Sequence, residues 1–437
     1  MAVSESAHAR WLKSLDGLFR HYGGPAFAIR LWDGWNWKSP GSEVPACTIR
    51  ILHPQALRTL LAEGSQIALG EAFIHKDIDV EGDLFSVFEP AEHLLRHPAP
   101  LRERLLQTVA HSALELGTTL RLGLRHSQKR DRDSIAYHYD QPIEFFRPWL
   151  GRTLVYSCAY FEHPDDPLDD AQEQKLELIC RKLRLQPGER FLDVGCGWGS
   201  LILRAAGRHG VRAEGITLSR SQEAETRQRI GEAGLSDCCR VRLIDYRQLD
   251  PEHERYEKIA SVGMYEHVGL ANLPAYFAQV RRLLKPGGVF LNHGIARSVQ
   301  STPRGQDSFI ARYVFPDGAL VTLTETITAA EQAGFEVRDV ENLREHYAMT
   351  LRHWVRGLEA CREMLLRHVS ETTLRIWLLY MAGCAAAFQR GDIGVYQTLL
   401  SAPERGRSGL PLTRRDWYDD RTQDAGGESA SAEALMQ

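Results

Sequence analysis

A strand–turn–helix junction with three alternating glycines places the strongest constraint on this chain. The sequence DVGCGWG fills residues 193–199, after an apolar run at 190–194 and before a helical pattern at 201–208. Glycines at such a junction permit a tight turn and let a ligand approach the backbone, while the first helical turn offers unpaired N–H groups. The junction therefore predicts a ligand-binding loop at the end of a strand.

Strand–helix alternation continues beyond this junction. Short apolar runs alternate with polar helical patterns, and KPGG at 285–288 predicts a turn; the runs lie at 211–218, 240–244, 258–262 and 289–293. Repeated β–α units imply a doubly wound, mostly parallel sheet with ligands outside the carboxyl ends of its strands. We therefore expect an α/β catalytic domain over residues 135–417.

The segments outside this region differ in composition. Residues 1–97 mix β-like runs at 26–31 and 47–52 with Gly/Pro turns and a helix predicted after Pro54, so we expect a small α+β domain. Residues 98–134 are predicted to form a helical linker, whose basic cluster comprises Arg121, Arg125, Lys129, Arg130 and Arg132. Two interpretations of this cluster stay open, a solvated surface and a contact with anions or a membrane. The small polar residues of 418–437 predict disorder.

Composition narrows the class of protein. A length of 437 residues favours two domains, and a net charge of −4 argues against nucleic acid as a partner. Eight cysteines without C-x-x-C spacing favour neither a zinc ribbon nor a disulfide framework, and we expect no bound metal. Residues 1–10 lack the apolar core of a signal peptide, and the apolar run at 376–388 is too short to span a bilayer and predicts a buried helix. We expect a cytoplasmic protein whose membrane contact is peripheral.

The glycine spacing indicates which cofactor the loop binds. G-x-G-x-G differs from the G-x-G-x-x-G of dinucleotide sites, and no Walker lysine follows. Asp193 can hold a cationic amino group, as the methionine end of S-adenosylmethionine requires. We therefore predict an S-adenosylmethionine-dependent methyltransferase with Asp193, Gly195 and Gly197 at the cofactor.

The nucleoside end of this site departs from the usual methyltransferase pattern. The second strand usually ends in an acid for the ribose hydroxyls, whereas Thr217 stands there and Glu214 lies within the strand. We predict that Gln222 supplies ribose hydrogen bonds instead. Asp245 and Tyr246, after the third strand, are predicted to meet the adenine.

Several separate motifs then occur in the order found in one known family. YSCAYF at 156–161, GMYEHVG at 263–269, HGI at 293–295 and HYAMTL at 346–351 resemble the cyclopropane-fatty-acyl-phospholipid synthase family. HYD at 138–140 and GITLS at 215–219 fit the same family, and the match covers about 135–395. LGEAF at 69–73 and DVEG at 79–82 resemble the accessory N-terminal domain of its bacterial phospholipid-acting members.

The resemblance implies a class I methyltransferase fold and an activity on lipids. Family members transfer a one-carbon unit from S-adenosylmethionine to a cis double bond of an unsaturated phospholipid acyl chain, and the resulting carbocation loses a proton to a bound bicarbonate. By resemblance, the bicarbonate is held by Cys158, Glu266, His293, the backbone of Ile295, and Tyr347. The resemblance also implies peripheral association with the inner face of the membrane and a homodimer.

Other residues enter the predicted site through the same motifs. Tyr156, Ser157 and Leu218 join the cofactor set. The substrate set is rich in aromatic rings, which can stabilise a carbocation, and it comprises His138, Tyr139, Phe145, Phe146, Tyr160 and Phe161. Cys384 lies in an apolar stretch and is interpreted as structural, because methyl transfer to an alkene needs no covalent enzyme intermediate.

Three departures from the family pattern leave the product open. Ile143 replaces a common Asn, Gly151 a common Asp, and Asn292 an apolar residue before His293. The main hypothesis is cyclopropane formation. The alternatives are a same-family methyltransferase that makes a methylene- or methyl-branched chain, a methyltransferase of non-lipid small molecules, and an inactive lipid-binding protein.

Overall fold

The computed structural model of the protein describes most of the chain outside the predicted linker and tail. The residues that it describes are 5–41, 44–54, 56, 65–96, 141–301, 308–315 and 320–418. The predicted linker, its basic cluster, His138, Tyr139 and nearly all of the predicted C-terminal tail lie outside them. Most of the helix predicted after Pro54 does so too.

The N-terminal part contains a small mixed sheet. Within its described residues four strands, β1 to β4, pair in the order β2-β1-β3-β4, with β1 and β3 parallel; they are Phe27–Arg30, Asn36–Lys38, Cys47–Ile51 and Ile78–Gly82. The structure describes helices α1 at Glu5–Leu18, α2 at Gln66–Ile74 and α3 at Phe88–Arg96 beside them. Phe19, which directly follows α1, and Phe27 of β1 lie in the core of this part, with their rings 4.9 Å apart.

A larger sheet organises the rest of the chain. In the described residues seven strands pair in the order β10-β11-β9-β8-β5-β6-β7; β5 to β11 are Arg190–Val194, Arg212–Thr217, Cys239–Leu243, Tyr256–Val262, Leu284–Arg297, Glu336–Asn342 and Ile393–Ser401. Strands β5 to β9 run parallel, whereas β11 pairs antiparallel with both β9 and β10. This architecture confirms the predicted α/β class with a mostly parallel sheet.

Helices cover both faces of this sheet. They are α4 to α14, at Ile143–Leu150, Leu168–Leu183, Ser200–His209, Arg220–Glu232, Leu273–Leu283, Phe309–Tyr313, Leu323–Gln332, Arg344–Ala360, Arg362–Leu365, Glu371–Arg390 and Arg415–Tyr418. Apolar side chains of α5 and α6 pack on one face, and those of α8 and α10 pack on the other. The apolar run at 376–388 lies in α13, as predicted, and none of the helices described here is long and apolar enough to cross a membrane.

The prediction that residues 285–288 form a turn before the fifth strand is wrong. Strand β9 begins at Leu284 and continues through these residues, with Gly287 at a φ of 73°. The pairing of β8 with β9 passes from Tyr256–Leu284 directly to Lys258–Val289, so β9 accommodates the extra residues as an irregularity. A Pro-Gly-Gly sequence favours both a turn and such a bulge, and pairing with β8 and β11 decides between them.

Candidate active site

A pocket of about 140 Å³ opens at the carboxyl ends of β5, β6 and β8. Every residue predicted at the cofactor lines this pocket: Tyr156, Ser157, Asp193, Gly195, Gly197, Thr217, Leu218, Gln222, Asp245 and Tyr246. The glycine turn between β5 and α6 forms one wall, and the loop after β6 faces it. The position agrees with the general rule for ligands in parallel sheets.

The glycine turn is shaped by contacts that exclude larger side chains. Gly195 has a φ of 84°, and a Cβ atom there would lie 2.8 Å from Cβ of Met264. The N–H groups of Gly195 and Cys196 both donate to the carbonyl oxygen of Ile216, which fixes the turn against the end of β6. Glycine at 195 therefore allows the loop after β8 to approach the cofactor wall.

Asp193 ends β5 with a carboxylate suited to a cationic ligand. It is 2% exposed, and its Oδ1 atom has no hydrogen-bond partner among the residues that the structure describes. Burial raises the pKa of Asp193 to about 7, while the nearby Lys175 acts in the opposite direction. A buried carboxylate oxygen without a hydrogen-bond partner among the described residues suits the cationic amino group of S-adenosylmethionine, which would stabilise its ionised form.

Thr217 and Gln222 form one hydrogen-bonded unit at the predicted ribose end. Thr217 Oγ1 donates to Gln222 Oε1 at 2.8 Å and accepts from the backbone N–H of Ser219 at 3.1 Å. Both side chains are buried in the pocket wall. Glu214 is used elsewhere, since its carboxylate accepts from Arg240, Arg242 and Tyr256.

Asp245 lines the pocket but is bound mainly by its own loop. Its Oδ1 accepts from the backbone N–H and Nε of Arg247 at 2.9 Å each, and its Oδ2 accepts from Nη2 at 2.6 Å. Arg247 also lies 5.5 Å from the centre of the Tyr246 ring. Sequence reasoning missed Arg247, although its position two residues after an Asp is the pattern of a local turn.

Glu266 lies in a 3₁₀ helix, Tyr265–His267, directly after β8. Its Oε1 accepts from the backbone N–H of Ile295 at 2.8 Å, while its buried Oε2 meets no partner in the described part of the chain. Burial raises the pKa of Glu266 to about 7, against the opposing effect of the Ile295 N–H. The Ile295 amide, predicted to hold an anion, thus holds Glu266 in this structure.

His293 lies in β9 and is 1% exposed. Lys182 Nζ donates to Gln397 Oε1 at 2.7 Å, and Gln397 Nε2 lies 3.2 Å from His293 Nδ1. Because the amide NH₂ of Gln397 must donate to Nδ1, the proton of the neutral ring is on Nε2. Burial lowers the pKa of His293 well below its usual value, so this side chain presents a neutral Nε2–H, which has no partner among described residues.

Cys158 and Tyr347 complete the predicted acid–base group. The Cys158 thiol is fully buried, and its one proton has two backbone acceptors within reach, the carbonyl oxygens of Ala159 at 3.2 Å and Leu343 at 3.8 Å. Burial raises the pKa of Cys158 above its usual value, so the thiol is neutral. Burial also raises the pKa of Tyr347, and the neighbouring ionisable groups of Tyr156, Cys158 and Glu266 act in the same direction. Cys158 and Tyr347 thus share one apolar cluster, and Glu266 is near enough to Tyr347 to influence its pKa.

The predicted substrate aromatics do not converge on the pocket. Phe145 and Phe146 are fully buried in the cluster beneath the Tyr156 loop, with the Phe146 ring 4.9 Å from that of Trp198. The Tyr160 ring stacks on His346 at 4.8 Å, and the N–H of Phe161 donates to Nδ1 of His346 at 3.0 Å. Neither Tyr160 nor Phe161 is a lining residue of the cofactor pocket.

Other aromatic residues, missed in the sequence, surround Tyr156 instead. The Tyr156 ring lies 5.1 Å from Trp354 and 5.8 Å from Trp377, and Tyr156 also forms a hydrogen bond with Tyr380. Cys384 lies near Tyr347 and Tyr380 within the same apolar cluster. These residues come from α11 and α13, about 200 positions later in the chain, and no local motif connects them with residue 156.

The three departures from the family pattern occupy different surroundings. Ile143 begins α4 and packs on the aromatic cluster. Gly151 ends that helix at a φ of 76°, and a Cβ atom there would lie 2.2 Å from an Asp169 carboxylate oxygen. Asn292 is buried and accepts a hydrogen bond from Tyr276 at 3.0 Å, away from His293.

Comparison with known proteins identifies the family. A sequence model described as "Mycolic acid cyclopropane synthetase" matches residues 126–398, more than half of the chain. The chain belongs to this family. A second model, of a domain of unknown function, matches residues 14–94.

Relatives extend along most of the chain. A Pseudomonas putida protein named "Probable fatty acid methyltransferase" is 41% identical over 394 residues, which are 89% of this chain and 95% of that protein. The Escherichia coli K12 "Cyclopropane-fatty-acyl-phospholipid synthase" is 34% identical over 372 residues, which are 84% and 90% of the two chains.

Solved structures agree with the family and the fold. The mycolic acid cyclopropane synthase CmaA1, complexed with SAH and CTAB, superposes with a TM-score of 0.58 at 35% identity, over 62% of this chain and 97% of that one. The cyclopropane synthase MmaA2 from Mycobacterium tuberculosis gives 0.58 at 33% identity over the same shares. The chain is therefore an S-adenosylmethionine-dependent methyltransferase with a class I fold.

Proposed function

We propose that this enzyme adds a methylene group from S-adenosylmethionine to the cis double bond of an unsaturated phospholipid acyl chain and closes a cyclopropane ring. The observation that carries the proposal is the placement of two buried polar atoms, Glu266 Oε2 and His293 Nε2, which no described residue satisfies. Cys158 is near both halves of the site, since it influences the titration of Lys175 in the cofactor pocket and that of Tyr347, which Glu266 also influences. Methyl donation and proton removal would thus occur at adjacent places.

The pocket residues account for binding and orienting the cofactor. S-adenosylmethionine supplies an electrophilic methyl group when bound. Asp193 holds the amino end, and the Thr217–Gln222 unit offers hydrogen bonds to the ribose. Because an alkene is a weak nucleophile, this orientation supplies much of the rate enhancement.

The surroundings of Tyr156 suit a positively charged intermediate on the lipid. The Trp354 and Trp377 rings, together with fully buried Phe145 and Phe146, keep this side of the site apolar and exclude water, which would trap a carbocation. Aromatic faces stabilise a nearby cation by about 0.5–2 kcal/mol each. We propose the Tyr156, Trp354 and Trp377 group for this role.

The acid–base group fits an oxyanion such as bicarbonate. Cys158, His293, Tyr347 and Glu266 would hold it, and it would supply a base for the departing proton. His293 offers Nε2–H and Tyr347 a hydroxyl as donors, the Cys158 thiol would turn from its backbone acceptors to donate as well, and Glu266 with its raised pKa can receive a proton. The Ile295 amide contributes by orienting Glu266.

A second candidate product is a methylene- or methyl-branched acyl chain. The Pseudomonas putida relative, named a fatty acid methyltransferase, favours this candidate. The same pocket and the same cation would serve both reactions, which differ in the proton that leaves.

The deciding experiment uses purified protein, S-adenosylmethionine and vesicles of monounsaturated phospholipid, with saturated vesicles as the control. We expect each modified chain to gain one CH₂. Proton NMR then distinguishes ring methylene protons from olefinic or methyl protons, which mass alone does not. Unmodified lipid in the presence of bound cofactor would overturn the proposal for this substrate.

We also propose that the protein works as a homodimer bound peripherally to the inner, anionic face of the membrane. The basic cluster in the 98–134 linker and the small N-terminal domain over 1–97 supply the contact. Replacing Arg125, Lys129 and Arg130 with Gln should weaken binding to anionic vesicles by about 1 kcal/mol per charge at low salt. Binding is measured by vesicle co-sedimentation, with uncharged vesicles as the control, and unchanged binding would contradict this role.

A further inference from the structure

Lys175 is a buried charged residue that the reaction scheme above leaves without a role. It lies on α5, is 1% exposed and lines the cofactor pocket. Its ammonium donates to Ser157 Oγ at 2.9 Å, which is the one acceptor it meets in the described part of the chain. An ammonium carries three N–H donors, so two remain for a ligand.

Lys175 lacks the close carboxylate partner that a buried structural lysine usually has. No carboxylate lies within 4 Å of its Nζ among the described residues, whereas Lys182 on the same helix pairs with Glu341. Asp193 is near enough to interact with it electrostatically, as is Cys158. Burial lowers the pKa of Lys175 to about 8, and these two neighbours act in the opposite direction.

The pocket is thus lined by one buried acidic and one buried basic residue, Asp193 and Lys175, which interact electrostatically. Asp193 has an oxygen that no described residue satisfies, and Lys175 has spare donors. An α-amino acid carries the complementary pair, an ammonium and a carboxylate on one carbon. Two opposite charges that line the same pocket without forming an ion pair with each other match such a zwitterion.

We infer that Lys175 binds the carboxylate of the methionine end of S-adenosylmethionine, while Asp193 binds its amino group. The inference concerns the cofactor half of the site and holds whichever lipid product is formed. In this arrangement the bond from Lys175 to Ser157 orients the ammonium toward the pocket, and Gln172 on the same helix holds the Ser157 carbonyl at 3.0 Å.

The test compares two ligands by isothermal titration calorimetry on the full chain without lipid. S-adenosylmethionine has the carboxylate, and its decarboxylated analogue lacks it. Lys175→Met should weaken S-adenosylmethionine binding about 10- to 100-fold, the range for losing a hydrogen bond to a charged group. Binding of the decarboxylated analogue should change by less than about threefold, because the lost partner is absent from that ligand.

Further variants separate this role from a structural one. The double variant Lys175→Met/Asp193→Asn keeps the buried pair neutral, and it replaces the single variant if an uncompensated Asp193 prevents folding. It should bind both ligands equally weakly. Ser157→Ala removes the hydroxyl but keeps the ammonium, so it should preserve the preference for the carboxylate.

Two outcomes would overturn the inference. Equal losses for the two ligands in Lys175→Met would mean that the lysine only positions Ser157 and its loop. Unchanged binding of both ligands, together with a methyl transfer rate that no longer responds to added bicarbonate, would assign the ammonium to the other anion. Activity assays report on the lipid reaction separately, so a wrong lipid substrate would leave the binding result intact.

Discussion

Glu266 is a residue whose contribution depends on its protonation state. Burial raises its pKa to about 7, and a carboxyl group accepts a proton only when it is ionised. Turnover at saturating S-adenosylmethionine should therefore rise with pH up to about 7 and then level off. Below that value it should fall about tenfold per pH unit. Saturation with the cofactor keeps the titration of Asp193 out of this profile.

Glu266→Gln tests the same residue by substitution. The amide retains an oxygen to accept from the Ile295 N–H but receives no proton, so turnover should fall about 100- to 10,000-fold and the acidic limb should disappear. Affinity for S-adenosylmethionine should stay within about twofold. Glu252→Gln, in an exposed turn, is the matched control. A loss of cofactor affinity as large as the loss of rate would instead place Glu266 in the cofactor site.

For single residues, the sequence predicts which side chains reach the pocket, but not which hydrogen-bond partners they have there. The motif residues Asp193, Thr217 and Gln222 reach one pocket because each follows the end of a parallel strand. Lys175 was missed because a lysine on an amphipathic helix ordinarily faces solvent. Gln397, which sets the tautomer of His293, is 104 residues away from it and belongs to no motif.

Among the elements, buried parallel strands were the easiest to predict. Strands β5, β6 and β8 are almost wholly buried and rich in apolar residues, since both their faces are covered by helices. Strand β10 has a partly exposed, polar sequence at the edge of the sheet, and neither it nor its antiparallel partner β11 was predicted. Their pairing is set by contacts with β9 that local periodicity does not encode.

Helix α11 supports the loop between α4 and α5, which carries Cys158 and is called the Cys158 loop below, through Thr350. Its Oγ1 accepts from the Ala159 N–H at 3.0 Å and donates to the His346 carbonyl at 2.7 Å, and the residue is fully buried. Thr350→Val leaves the Ala159 N–H buried without a partner, which should lower the free energy of unfolding by about 1–3 kcal/mol. It should also reduce turnover, because the Cys158 loop loses its support.

Chemical denaturation and the methyl transfer assay check this prediction. Thr350→Ser keeps the hydroxyl and should restore most of the activity. Thr328→Val, on an exposed face of α10, should change the free energy of unfolding by less than about 0.5 kcal/mol. Wild-type turnover in Thr350→Val would show that the loop is held by its aromatic packing alone.

At the scale of the whole molecule, the two sheets are joined through α13. The Arg375 guanidinium is 4% exposed and donates to the carbonyls of Phe73 and Ile78 at 2.7 and 2.9 Å and to the Asp79 carboxylate at 3.1 Å. It also lies 4.0 Å from the centre of the Phe73 ring. A helix of the catalytic sheet thus satisfies backbone acceptors of the small N-terminal part.

Removing the Arg375 hydrogen bonds should destabilise the small N-terminal part and leave the cofactor pocket unaffected. Arg375→Met removes the guanidinium donor from the carbonyls of Phe73 and Ile78, and Phe73 keeps only the Lys76 N–H, so hydrogen exchange at residues 73–79 should accelerate by about one to two orders of magnitude, as expected for losing about 1.5–3 kcal/mol locally. Cofactor affinity should be unchanged, because neither Arg375 nor any of the residues that it bonds to lines the cofactor pocket. Arg362→Met, whose half-exposed partner is Glu371, is the control and should have little effect. Unchanged exchange in Arg375→Met would mean that the apolar contacts of α2 and Phe309 alone hold the small sheet in place.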